Sequence, residues 1–162
     1  MAKVIRQRTP AKLPTAAGPR QVIRDFSLQR YLADNLREQM RADGYNEKRR
    51  TRWIEEAIAG LMLFDASMMD SATGDRATTT DPAHAKLVRT KTRIRADLER
   101  NVSELVRTLK FQDPDIVGHY SYVIRCAIRY RMRNPDRFPP SDGADGDDLI
   151  ARAVKLNFES PF

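Results

Sequence analysis

The sequence repeats itself, and neither copy is large enough to fold alone. Displaced by 66 positions, residues 26–45 lie over residues 92–111. Leu28 then meets Ile94, Leu32 meets Leu98, Asn35 meets Asn101, Leu36 meets Val102, Arg41 meets Arg107 and Tyr45 meets Phe111. Displaced by 70, residues 51–62 lie over 121–132, matching Ile54, Ala57, Ile58 and Met62 to Ile124, Ala127, Ile128 and Met132. The offset changes by four residues inside a loop, NEKRR in the first copy against QDPDIVGHY in the second. Loops are where a duplicated chain tolerates insertion.

Each copy carries the same order of patterns. Around Phe26 and Leu28 the apolar residues alternate with Asp25, Ser27 and Gln29, the period of a strand. Thr92 and Ile94 alternate in the same way with Lys91, Arg93 and Arg95. A helical stripe follows: Leu32, Leu36 and Met40 in one copy, Leu98, Val102, Leu105, Val106 and Leu109 in the other. Asp97 is the expected N-cap of the second stripe and Gly44 the expected end of the first. A second helix is expected over Trp53–Ile54–Ala57–Ile58–Leu61–Met62 and over Val123–Ile124–Ala127–Ile128–Met132.

One strand and two short helices leave both strand edges unpaired and bury too little apolar surface. Two copies resolve both problems if their strands pair antiparallel and their four helices pack on the Phe26/Leu28 and Thr92/Ile94 face. The expected fold class is therefore mostly α with a short β-ribbon. Residues 1–21 read as a flexible basic arm, 22–64 as the first repeat, 65–87 as a linker and 88–133 as the second repeat. Residues 134–162 read as an acidic tail with a short helix over residues 149–156. The 23-residue linker spans up to about 75 Å when extended, so pairing within one chain is feasible.

The net charge of +7 is unevenly distributed. The arm, with Lys3, Arg6, Arg8, Lys12 and Arg20, holds +5, and residues 22–64 hold +1. The second repeat holds +6, whereas the linker and tail are acidic at −2 and −3. A basic surface of this kind favours a polyanion.

The segments FSLQRYLADNLREQMRADGY…TRWIEEAI and TRIRADLERNVSELVRTLKF…SYVIRCAI resemble the ribbon-helix-helix DNA-binding proteins. The chain is similar to single-chain tandem members, among them TraY-like relaxosome proteins and VirC2-like proteins. The resemblance implies two ribbon-helix-helix repeats forming an intramolecular pseudo-dimer that inserts its antiparallel ribbon into the major groove of double-stranded DNA. Asp25, Ser27 and Gln29, beside Lys91, Arg93 and Arg95, would then face base edges. Arg and Lys suit guanine, Gln suits adenine, and Asp25 either accepts from cytosine or pairs with a neighbouring protein base. The two strands differ, so the expected site is not palindromic. By the family pattern, Lys48, Arg49, Arg50 and Thr51, with His119, Tyr120 and Ser121, would anchor phosphate at a helix N-terminus. Lys3, Arg6 and Arg8 of the arm would add contacts that do not depend on sequence.

The implied role is transcriptional regulation of a plasmid or other mobile element. The alternatives are a relaxosome accessory in conjugative DNA transfer, or an antitoxin or adaptor that binds a protein partner, or associates with itself, through residues 149–162, where Phe158 and Phe162 lie. A cytoplasmic, nucleoid-associated protein is expected. The strand positions expected to meet DNA offer no aromatic platform for stacking on RNA bases. No phosphate-binding glycine loop, HExxH or nucleophile–base set is present, so no enzymatic activity, cofactor or small-molecule ligand is expected. Cys126, the single cysteine, falls on an apolar helix face and reads as a buried thiol. The Asp142, Asp145, Asp147 and Asp148 cluster lacks the spacing of an EF-hand and reads as solvated linker. No apolar run approaches the roughly 18–20 residues of a membrane span.

Overall fold

The structure, a computed structural model, describes residues 20–67, 86–116, 118–140 and 145–156. Most of the basic arm, including Lys3, Arg6 and Arg8, lies outside these residues, as do most of the linker, Asp142, Phe158 and Phe162. The described chain is mostly helical, with one two-stranded antiparallel sheet.

Strands β1 (Gln21–Gln29) and β2 (Leu87–Arg95) pair along their whole length, Gln21 opposite Arg95 and Gln29 opposite Leu87. Each begins four residues before the first alternating position named above, Asp25 in β1 and Lys91 in β2. Flanking backbone bonds, Ala96 N–H to the Arg20 carbonyl and Arg30 N–H to the Lys86 carbonyl, extend the ladder at both ends. Side chains alternate across a strand, so Phe26, Leu28, Thr92 and Ile94 turn into the core together. On the opposite face, Ile23, Asp25, Arg89, Lys91 and Arg93 are exposed.

Helix α1 (Arg30–Ala42) buries Leu32, Leu36 and Met40. It stops where Gly44 adopts φ 81°, a conformation that disfavours a Cβ. The Gly44 N–H bonds to the Arg41 carbonyl and the Tyr45 N–H to the Met40 carbonyl, a Schellman closure that folds Tyr45 into the core. A 3-10 turn, Glu47–Arg49, leads into α2 (Arg50–Phe64); Asn46 opens the turn by accepting the Arg49 N–H.

Helix α3 (Ala96–Gln112) is four residues longer than α1, having no glycine where the first copy has Gly44. Phe111 consequently stands 77% exposed, whereas Tyr45 is 3% exposed, so these two aligned aromatics do different work. Asp97 is not the N-cap: it lies in the first turn, where its Oδ1 accepts the Leu98 N–H. Helix α4 (His119–Arg133) follows Gly118 at φ 68°.

The core is centred where α2 and α4 cross beneath the ribbon. Trp53, Ile54, Ala57, Ile58 and Leu61 meet Val123, Ile124, Ala127 and Ile128, with Cys126 fully buried among them. Val106 and Met132 are only partly buried. The last helix, α5 (Asp145–Val154), starts four residues before the expected segment, with three aspartates in its first turn, where the helix dipole favours negative charge. Its Leu149, Ile150 and Ala153 are buried as it packs against α2 and α3, and Asn101 Nδ2 donates to the Ala153 carbonyl at 2.9 Å. The apolar face expected to be available to a partner is thus used inside the chain. Asp147 is likewise more than solvated linker, since it pairs with Arg52 at 2.5 Å.

Beneath α5 lies a buried charge cluster that no periodic pattern announces. Glu56 and Arg131, each with a side chain 3% exposed, pair at 2.9 Å. Tyr45 Oη donates to Glu56 at 2.5 Å, and Arg52 Nε donates to its other oxygen at 3.0 Å. Arg131 Nη1 also donates to the Trp53 carbonyl at 2.9 Å, and its guanidinium stacks on the rings of Tyr45, Trp53 and Phe138. Two glycines make the packing possible: a Cβ on Gly60 would strike the Phe138 ring, and one on Gly146 would strike the Glu56 carboxylate.

Candidate nucleic-acid interface

The outward face of the ribbon is chemically one-sided. Strand β2 contributes Arg89, Lys91, Arg93 and Arg95, whereas β1 contributes Gln21, Ile23, Asp25 and Ser27. Lys91 stands opposite Asp25, Arg93 opposite Ile23, and Arg89 opposite Ser27. Directly opposed residues in an antiparallel pair have their Cβ atoms about 4.5–5.5 Å apart, so these side chains act as neighbours. Asp25 leans toward Arg89, its Oδ2 lying 3.9 Å from Nη2, a loose pair because the arginine side chain is 79% exposed. Lys91 and Arg93 are exposed.

Two of the expected base readers are otherwise engaged. Gln29 is 3% exposed, and its Oε1 accepts from Arg129 Nη2 at 3.2 Å. The expectation that it is exposed to meet a base edge is not met. The strand passes straight into α1 at this residue, and the buried Arg129 guanidinium draws on Gln29 and on Tyr31 Oη as acceptors. Arg95 lies near the surface, but Asp97 grips its guanidinium at 3.1 and 2.8 Å. That hydrogen bonding raises the Arg95 pKa and holds the Asp97 carboxyl below the usual range.

The starts of α2 and α4 are tied to the ribbon by their hydroxyls. Thr51 Oγ1 shares a hydrogen bond with Thr92 Oγ1 at 3.2 Å, and Ser121 Oγ accepts the Ser27 N–H at 2.9 Å. One turn further on, Glu55 Oε2 accepts the Arg95 N–H at 3.0 Å, and Arg125 Nη1 donates to the Ser27 carbonyl at 3.1 Å. These hydroxyls, expected to anchor phosphate, position the helix ends against the strands. His119 holds its own loop, with Nε2 donating to the Asp113 carbonyl at 3.0 Å.

A cleft opens on each flank of the ribbon. One, of about 670 Å³, is lined by Arg24, Asp25, Lys91, Arg107, Lys110 and Tyr120 among others. There Arg24 lies over the Tyr120 ring and pairs with Glu99, while the Tyr120 hydroxyl is buried without a hydrogen-bond partner. Burial raises the Tyr120 pKa, and the nearby Glu99 charge adds to the shift. The other cleft, of about 330 Å³, is lined by Arg37, Glu47, Arg50, Arg89 and Lys91 among others. Burial lowers the Arg50 pKa there, and the Arg37 charge lowers it further against the opposing pull of Glu47. Lys48, in the 3-10 turn beside this cleft, is exposed, and Arg49 stacks on Tyr45 with its guanidinium carbon 4.8 Å from the ring centre.

Sequence reasoning missed Arg89, which belongs to the ribbon face by the same period-two rule that found Lys91 and Arg93. It also missed Ile23, because an exposed aliphatic residue does not resemble a polar contact. Among the described residues no cluster of three or more His, Cys, Asp or Glu side chains could hold a metal ion. No described helix is long and apolar enough to cross a membrane. The chain matches no protein-family model, and neither a curated protein nor a solved structure is significantly similar to it.

Proposed function

We propose that the chain is a sequence-specific double-stranded DNA-binding protein whose two ribbon-helix-helix repeats act as a pseudo-dimer, with the ribbon entering the major groove. The observation that carries this reading is the ribbon face itself: Arg89, Lys91 and Arg93 side by side on one strand, on the sheet face that no other described element covers. A ribbon of this width fits the major groove of B-DNA, where Arg and Lys pair with guanine N7 and O6. Flanking clefts that both contain basic side chains suit the phosphates on either side.

The pseudo-dimer draws support from the register. Asp25 pairs with Lys91, its own counterpart at the 66-residue offset, so the ladder is centred on a local two-fold axis. Helix α2 leans on β2 and α4 on β1 through residues 70 apart, Thr51 with Ser121 and Glu55 with Arg125. The biological role proposed is regulation of transcription on a plasmid or other mobile element.

The test is selection of duplexes from a random pool, followed by gel shifts with duplex, single-stranded DNA and RNA. Arg93→Ala is expected to cost about 1–3 kcal/mol on the selected duplex and to relax its sequence preference, with little change on random DNA. Equal loss on both would remove Arg93 as a base reader. Selected sites upstream of the chain's own gene favour a regulator, whereas sites beside a transfer origin favour the conjugation accessory.

A further inference from the structure

We infer that Ile23 reads a thymine methyl group, in one half of the DNA site only. The inference rests on the DNA-binding reading above and specifies what that interface recognises. Ile23 is 62% exposed on the outward face of the ribbon, in the β1 position opposite Arg93. It is the one aliphatic side chain in the middle of that face; the other exposed one, Leu87, closes its far end opposite Gln29. Its neighbours on that face are charged: Arg93 lies across from it, Lys91 adjoins Arg93, and Asp25 follows two residues along β1. A surface of this composition suits DNA better than an apolar protein partner, and the apolar group that DNA displays in the major groove is the thymine C5 methyl.

The local two-fold axis at Asp25 and Lys91 sharpens the expectation. At the 66-residue offset Ile23 corresponds to Arg89, and Ser27 to Arg93. One side of the axis therefore presents Ile23 with Arg93, and the other presents Ser27 with Arg89. Each half retains one arginine, suited to guanine. What differs is the β1 residue beside it: an isoleucine, which can only make apolar contact, or a serine, which can only hydrogen-bond. The two half-sites should thus share a guanine contact but differ in their demand for a thymine methyl.

The experiment uses the full chain and its selected duplex, with each thymine replaced singly by uracil, which removes only the methyl group. The wild-type protein is expected to lose about fourfold in affinity at a thymine in the half next to Arg93, the value of one buried methyl. Uracil elsewhere should be tolerated. Ile23→Ala, at an exposed position that leaves the fold intact by circular dichroism, should bind the thymine duplex more weakly and be indifferent to uracil at that position. Retained duplex binding with no methyl effect overturns the inference and leaves the DNA reading standing, as does an equal methyl effect in Ile23→Ala. Methyl effects of the same size in both halves also overturn it. Failure to select any duplex overturns the DNA reading and the inference with it.

Discussion

Glu55 and Arg125 stand 70 residues apart and do the same job with opposite charges. Glu55, on α2, accepts a backbone N–H from β2, and Arg125, on α4, donates to a backbone carbonyl of β1. The two positions match at the 70-residue offset yet carry different side chains, and such differences extend through the molecule. Where α2 has Leu61, α4 has Arg131, which satisfies Glu56 of the first half. Where the first copy stops a helix with Gly44, the second has Lys110 and continues. The similarity of the halves lies in their apolar stripes, and their difference lies in the polar groups placed between those stripes.

The largest expected effect comes from forcing the halves to be alike at the charge cluster. Arg131→Leu leaves the buried Glu56 with only Arg52 at its other oxygen and the Tyr45 hydroxyl, and should destabilise the chain by about 3 kcal/mol in urea or thermal unfolding. Adding Glu56→Leu should restore much of that loss, because a buried pair replaced by apolar groups is often close to neutral. A double variant as unstable as the single one would mean that the cluster acts through Trp53 and Tyr45 packing instead.

Removing Glu55 and Arg125 in turn tests whether their jobs are equivalent. Each alanine variant strands one strand group and should cost about 1–3 kcal/mol. Hydrogen exchange separates them: Glu55→Ala should expose the Arg95 amide, while Arg125→Ala, which frees a carbonyl, should leave that amide protected. At the helix ends, Gly44→Ala places a Cβ at φ 81° and should cost about 1 kcal/mol. A neutral result would show that the Schellman closure can re-form around alanine.

The smallest effects are in pH dependence, and two carboxyls near Arg95 should oppose one another. Burial, stronger than the pull of the Arg95 N–H and nearby cations, raises the Glu55 pKa above its usual 4.5. The folded state then binds that proton more tightly than the unfolded state, and the associated stability fades as pH rises through the raised pKa. Asp97, held below its usual 3.8 by Arg95, contributes stability that is present above that value and fades as pH falls through the lowered one. Unfolding followed from pH 3 to pH 7 should lose acid-side slope in Asp97→Asn and lose the opposite slope in Glu55→Gln. The same change in both variants would refute the assignment.

Much of this layout is legible in the residues, for reasons visible at particular positions. Phe26/Leu28 and Thr92/Ile94 alternate because, among the described residues, only one ribbon face is covered, and Leu32/Leu36/Met40 recur because α1 lies on the core. Gly44 marks a helix end because few other residues accept its φ. By contrast, Gln29 is buried by Arg129, 100 positions away, and Glu56 is satisfied by an arginine 75 positions away. Such contacts leave no period in the chain. The docking of α5 was half visible: its amphipathic stripe is plain, but a stripe does not say whether it faces the chain's own core or a partner. The Arg95–Asp97 pair was the nearest to hand, two residues apart, and it shows that charge counting along a strand overstates what the surface offers.

The ladder joining β1 to β2 has a consequence in time. Its strands are separated by both helices of the first copy and by the linker, so during synthesis Phe26 and Leu28 wait for a partner until residues 87–95 have been made. Helices α1 and α2 can form earlier from local contacts, but they have no sheet to settle on. Closing so long a loop is a slow step compared with helix formation. The nascent chain should therefore pass through a stage in which its first half is helical, apolar on one side and unfinished, and in which a second nascent copy could supply the missing strand.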